Sequence, residues 1–422
     1  MGHILVTVAD SMMVGRLGAG PLAAVSLANS VVTVIMLFGL GISYGMTPLV
    51  AVADGANDKK TSTSILKHGL ILNTIIGLML VGVCLLSGQY FDLLGQAPSV
   101  VRDAIPYFQV MALSLLPLMI FQTFRQFSEG LSMTRQAMLI SISGNVINVI
   151  LNYGLIYGKL GFVAYGVIGA GWATLWSRVM MAIAMGIFVL TYSKFAKYRS
   201  VFSSVSIQWE PIRQILKIGV PSGLQYVFEV GAFSMAAIMI GWLGAEALAA
   251  HQIALNLSAI SYMIATGLSA AGSIRIGNQL GKKDYKTLRQ AGMTIFVMSA
   301  VLMVVFGSIF IIWQDFLPTL YVDNVNVIQM AASLLVVAGF FQVSDGVQAV
   351  GLGVLRGLSD VKVPTYVTII SYWIVAIPAG YYMGIMMDWG AVGVWLGLLL
   401  GLTVAAIAHL ARFHQLSKRL LD

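Results

Sequence analysis

Long apolar runs separated by short polar connections recur along the whole chain, and their length decides the fold class. About 20 apolar residues let a helix cross the hydrocarbon of a bilayer. Eleven such runs are present, at 22–53, 68–89, 104–126, 136–157, 164–191, 214–241, 247–273, 290–313, 326–355, 361–384 and 389–411. They are continuous rather than alternating over about ten residues, so they predict helices and not barrel strands. A shorter piece, "ILVTVADSMMVG", precedes them. At about 1.5 Å per residue it cannot span about 30 Å of hydrocarbon, so it reads either as a first helix whose start is missing or as a half-span. The fold class is an all-α polytopic membrane protein of twelve helices, the first truncated.

Composition agrees: 59% of the 422 residues are hydrophobic and 9% charged, and the mean hydropathy is +0.89. An ordinary soluble domain is excluded. The 44 glycines suit helices that approach closely in lipid. The single cysteine, Cys84, lies in an apolar run, can form no internal disulfide and is assigned no role. No cleavable signal pattern is read in the opening.

The net charge of +8 is explained by topology. Counting the short piece as a helix, the connections after every second helix and the carboxyl tail hold all 24 Lys and Arg residues except Arg16, Arg102, Lys159 and Arg178. By the positive-inside rule those connections and both termini face the cytoplasm. Nucleic acid is therefore not an expected partner.

The chain also repeats itself. "RLGAGPLAA" (Arg16 to Ala24) returns as "WLGAEALAA" (Trp242 to Ala250), "EGLSMTR" (Glu129 to Arg135) as "RGLSDVK" (Arg356 to Lys362), and "YGVIG" (Tyr165 to Gly169) as "WGAVG" (Trp389 to Gly393). Two six-helix lobes of like orientation follow, 1–192 and 214–422, joined by a basic cytoplasmic linker at 193–213. Parallel repeats of this kind place a central cavity between two bundles in secondary transporters. The linker reads as a solvated connector, with "KFAKYR" as a possible contact for anionic headgroups. The first half lacks a counterpart of "PIRQILKIGVPSGLQY" (Pro211 to Tyr226).

Three carboxylates fall within the spans: Asp10, Glu229 and Asp345. Counted from Lys217 and Arg356, Glu229 and Asp345 lie about 18 Å and about 16 Å from the cytoplasmic side, at nearly one depth. Asp10 lies about 9 Å below Arg16 on the outer side. Gln225 stands one turn before Glu229, while Gln342 and Gln348 flank Asp345 three residues to either side, placing an amide on each acid's own helix face. None of the three acids recurs at its equivalent in the other half, where Ala236, His3 and Leu118 stand. A shared structural role therefore explains them less well than ion or substrate binding.

Burial disfavours the charged form of a carboxylate, so such a group can hold a proton facing one bath and release it facing the other. Two acids at one depth can equally share Na+. The residue types leave both options open. Arg178, about twelve residues into its span, is expected to pair with an acid such as Asp10, or to reach toward an edge. The 23 methionines either make a re-packable surface for varied ligands or simply fill the core. There is no Walker A loop, histidine–cysteine cluster or serine–histidine–acid set, so the chain reads as no enzyme and no cofactor is expected.

At "GVPSGLQYVFEVGAF", "LGAEALAAHQIALN" and "VSDGVQAVGLGVLRGLSD" the chain resembles the multidrug and toxic compound extrusion family, NorM-type branch, and the resemblance covers nearly all of it. It implies a carrier of two six-helix lobes that exports cationic, aromatic or amphiphilic compounds in exchange for sodium ions or protons. By matching positions, Glu229 and Asp345 would form the ion site of the carboxyl-terminal lobe and Asp10 the acid of the amino-terminal lobe. Around "NVINVILNYGLIYG" the resemblance implies Asn148 and Asn152 near Asp10, with Thr174 of "GWATLWS" as a further candidate.

The functional expectation is a multidrug exporter of a bacterial inner membrane, working as a monomer by alternating access. The alternatives are a flippase of lipid-linked saccharides, for whose pyrophosphate only Arg178 is available, and a membrane-embedded enzyme. A passive channel is disfavoured because no ring of charge is apparent.

Overall fold

The computed structural model describes residue 10 and residues 12–422, and the chain is helical without strands among them. The rest of the short apolar piece read as the first helix lies outside the described residues. Asp10 and residues 12–15 have helical backbone.

Eleven described helices are long and apolar enough to cross a membrane: α1 (Ala19–Gly55), α2 (Lys59–Leu93), α3 (Pro98–Gly130), α4 (Thr134–Tyr157), α5 (Val167–Thr191), α7 (Trp209–Gly241), α8 (Ala245–Lys282), α9 (Tyr285–Ile312), α10 (Val325–Gly357), α11 (Lys362–Met386) and α12 (Gly390–Arg419). A short linker helix, α6 (Ala196–Phe202), completes the set. Each expected span corresponds to one of these. The helices overrun the apolar runs at their basic ends, as α8 does through Lys282, because backbone hydrogen bonding continues where hydropathy stops.

The repeat is written into the backbone as well as the sequence. Asp58 accepts hydrogen bonds from the backbone N–H and hydroxyl of Thr61 at 2.9 and 2.6 Å, capping α2. Asp284 accepts from the N–H of Thr287 at 3.1 Å at the start of α9. Left-handed residues recur with the same spacing: Asn57 and Lys283, Ser132 and Ser359, Gly18 and Gly244. Thr61 holds the Asp58 carboxyl below its ordinary value of 3.8. The cap is therefore fully present above about pH 4 and is lost as pH falls through the depressed value. Asp58→Ala is expected to lower stability in detergent by about 1 kcal/mol, which a thermal melt at neutral pH would register.

The chain forms two compact units, Met1–Gly223 and Leu224–Asp422. Their boundary falls inside α7. Ile212, Ile215, Leu216 and Val220 of its first half belong to the first unit's core. A Cβ on Gly41 would collide with the Gly223 backbone, and one on Gly219 with the Ile42 carbonyl, so bare glycine backbone holds this half of α7 against α1.

The linker is docked rather than solvated. Phe195 and Tyr198 are buried against Phe127. Lys67 donates to the carbonyls of Phe202 and Val205 at 3.4 and 2.7 Å, satisfying groups left free where the linker helix ends. His68 Nε2 accepts the Gln208 N–H at 2.8 Å, and His68 Nδ1 lies 2.7 Å from the Ser64 carbonyl, so Nδ1 carries the proton.

In the second unit, α11 and α12 pack along a stripe of glycines. A Cβ on Gly393 would meet the backbone of Met383 and Gly384, one on Gly397 that of Gly380 and Ala376, and one on Gly401 the Ser371 carbonyl. Spacing by four puts these three positions on one face of α12, the small-residue seam that lets membrane helices touch backbone to backbone.

Candidate functional site

Each unit buries a carboxylate-centred polar cluster. In the second unit, Glu229 on α7 and Asp345 on α10 are 5% and 3% exposed, and they lie within electrostatic reach of each other. Tyr262 of α8 donates its hydroxyl to Glu229 Oε1 at 3.0 Å. Tyr372 of α11 brings its hydroxyl toward Glu229 without completing well-aligned geometry, and Glu229 Oε2 has no partner. Among the described residues, neither acid forms a salt bridge.

The amides expected beside these acids turn elsewhere. Gln342 accepts from the Ser261 hydroxyl at 2.6 Å, Gln225 donates to the Val361 carbonyl at 3.4 Å, and Gln348 is buried with both amide atoms unpartnered. Sharing a helix face brings groups into register, but the neighbouring helices decide which partner each meets. The phenols of Tyr262 and Tyr372 were missed in the sequence. The available signal was depth, because tyrosine favours the membrane interfaces and these two stand well inside their spans.

In the first unit, Asp10 is 1% exposed. Its Oδ1 accepts from Asn152 Nδ2 at 2.5 Å and its Oδ2 from the Thr174 hydroxyl at 3.2 Å. Asn148 ties the set together, donating to Thr174 Oγ1 and accepting from Asn152, each at 3.2 Å. The Tyr157 hydroxyl donates to the Met13 carbonyl at 2.6 Å, anchoring the segment that carries Asp10 to α4.

Arg178 does not pair directly with Asp10. It donates to the Ser114 hydroxyl at 2.6 Å and lies 3.6 Å from the Met36 sulfur, while remaining in electrostatic range of Asp10. This replaces the expected ion pair: Asn152 and Thr174 occupy the carboxylate, and Ser114 takes the guanidinium.

Chemically, the two clusters differ. Asp10 has neutral donors on both oxygens and a cation nearby. Glu229 and Asp345 lie within electrostatic reach of each other, with the Tyr262 phenol on Glu229. Among the described residues, no group of three His, Cys, Asp or Glu side chains is placed to hold a metal ion, so a cation bound by the acid pair would also draw on hydroxyl, backbone or water oxygens.

Comparisons with known proteins give a consistent picture. A family profile described as MatE matches residues 3–154 and 221–382. Multidrug resistance protein NorM of Photobacterium profundum is 32% identical over 403 residues, covering 94% of this chain and 88% of its own length. Multidrug resistance protein MdtK of Photorhabdus laumondii is 31% identical over 417 residues, with 98% and 91% coverage. Among solved structures, a MATE protein in a bent conformation superposes with a TM-score of 0.92 at 22% identity, covering 99% of this chain and 92% of its own. A eukaryotic MATE transporter gives 0.87 at 22% identity, with 99% and 94% coverage. At that identity the structures speak for the fold.

Proposed function

This chain belongs to the MatE family, whose members are transporters rather than enzymes, and from that premise we propose that it exports cationic or amphiphilic organic compounds in exchange for sodium ions or protons. It does so by alternating access of the lobes 1–192 and 214–422 on either side of the linker 193–213, as a monomer in a bacterial inner membrane with both termini in the cytoplasm.

The observation that carries this reading is the buried Glu229–Asp345 pair. Two buried carboxylates within electrostatic reach repel when both are ionised, so the pair gains by taking up a proton or a cation. An ion that binds one conformation better than the other shifts the balance between them by that difference. Linkage makes the effect reciprocal, so a drug that favours the opposite conformation releases the ion. Asp10, with Asn148, Asn152 and Thr174, supplies a third acid that serves either the ion or a cationic substrate.

The test is transport of a fluorescent organic cation in proteoliposomes under a sodium gradient and, separately, a pH gradient. Concentrative movement driven by one of them is the expected result and names the ion. Movement under neither would remove the exporter reading and turn attention to lipid-linked saccharides.

A further inference from the structure

The cytoplasmic half of the second unit contains polar side chains that the exchange site leaves unexplained. His409 of α12 is fully buried with neither ring nitrogen hydrogen-bonded, and Gln348 of α10 is fully buried with neither amide atom hydrogen-bonded. Ser371 of α11 is 1% exposed, and its hydroxyl is also unpartnered. A buried polar group without a partner costs about 1–3 kcal/mol, and native proteins usually resolve such groups with internal water making two to four hydrogen bonds.

These groups stand at successive heights on α10, α11 and α12, and α12 packs against the other two. His409 packs against Gly351, where a Cβ would stand 3.4 Å from the ring's Nδ1, and its ring faces the carbonyls of Gln348 and Pro364. At about 1.5 Å per residue, Gln348 is about 4.5 Å above the Gly351 level and Asp345 about 9 Å above it. Ser371, seven residues beyond Pro364, reaches about the same height as Asp345. Below His409, one turn toward the cytoplasm, Arg412 donates to Asp360 at 2.8 Å with both side chains partly exposed.

The backbone is irregular at the upper end of this series. Ile370–Ala376 has the wide π-helical pattern, an arrangement frequent at functional sites. The charged or titratable groups on the elements packed around His409 are Asp345 and Arg356 on α10, Lys362 on α11, Lys286 and Arg289 on α9, and Arg412, His414, Lys418 and Arg419 on α12, with Asp360 as the partner of Arg412.

We propose that Gln348, His409 and Ser371 hold a chain of buried water that conducts protons between the depth of Asp345 and the cytoplasmic surface beside Asp360 and Arg412. The inference rests on the exporter reading, with the proton as the exchanged ion. Along the chain, a proton reaching the buried end joins a water oxygen as another leaves that water. One nitrogen of His409 takes up a proton while the other gives one to water on the cytoplasmic side, and nothing is oxidised or reduced. An imidazole whose nitrogens face carbonyls without a well-aligned hydrogen bond is suited to that exchange, and Gln348 supplies a donor and an acceptor to orient the intervening water.

The test uses the full chain in proteoliposomes, comparing wild type with His409→Leu and Gln348→Leu. Two rates are read: export of the fluorescent cation driven by a pH gradient, and dye-for-dye exchange with no ion gradient. The expected result is a loss of at least about tenfold in gradient-driven export, with dye-for-dye exchange within about twofold of wild type and a larger slowing in D2O for the variants. Wild-type export rates in both variants, or equal loss of export and exchange, would overturn the relay while leaving the exporter reading intact. So would wild-type transport driven by sodium alone. Failure of the wild type under either gradient would overturn the exporter reading and the relay together.

Discussion

Glu229→Gln eliminates gradient-driven export, lowering its rate by about a hundredfold, the upper part of the usual range for coupling between two sites. Glutamine keeps the size of the side chain and an oxygen that accepts the Tyr262 hydroxyl, now seen at 3.0 Å on Oε1. It removes the negative charge that, in the proposed exchange, repels Asp345 and attracts the ion. The lesion therefore lies in coupling and not in packing. A buried charge in a core is expensive, and its removal from a well-packed site is often neutral or stabilising. The variant is expected to melt in detergent at or above the wild-type temperature and still to bind the fluorescent cation. Asp345→Asn should behave alike, because the proposed exchange uses the pair as a unit. Loss of transport together with a lowered melting temperature would instead assign Glu229 to the structural framework.

The largest effect on stability is expected at Gly397. Any side chain there would be driven into the Gly380 backbone and the Ala376 carbonyl, and backbone cannot rotate aside as a side-chain tip can. Gly397→Leu must separate α11 from α12 along the seam that Gly393 and Gly401 continue. Overpacking in a core commonly costs about 1–3 kcal/mol, and opening a backbone-to-backbone contact belongs at or above the top of that range. The variant should give little folded protein after extraction and a markedly lower melt. Gly82 provides the comparison: nothing lies within 4 Å of a Cβ built there, so Gly82→Leu should stay close to wild type. If the Gly397 and Gly82 variants melted alike, the seam would not be a principal support of this unit.

The expected spans and the repeat were visible in the sequence because hydrophobic length and recurring motifs report directly on the physics of crossing a bilayer. The neighbours of Asp10 were visible through the family resemblance, and Asn152, Thr174 and Asn148 do gather around it. The second unit was less legible. Gln342 and Gln225 share helix faces with the acids, yet their partners are Ser261 and the Val361 carbonyl, groups that only packing of other helices brings near. Tyr262 and Tyr372 gave little hydropathy signal, since a phenol is both apolar body and polar tip. The linker was read from its charge, whereas Phe195 and Tyr198, buried in the core, and the carbonyls gripped by Lys67 determine where it lies. The glycine seam of α12 can be seen in the spacing of Gly393, Gly397 and Gly401 once the facing helix is known.

Exchange is the central claim, and reciprocity tests it most directly. With wild-type protein in proteoliposomes and no imposed ion gradient, an outward gradient of the organic cation should drive the coupling ion inward, read with a pH dye and separately with a sodium indicator, and Glu229→Gln should abolish that flux. Movement of the organic cation with no opposing ion movement in the wild type, or unchanged ion movement in the Glu229 variant, would contradict the account.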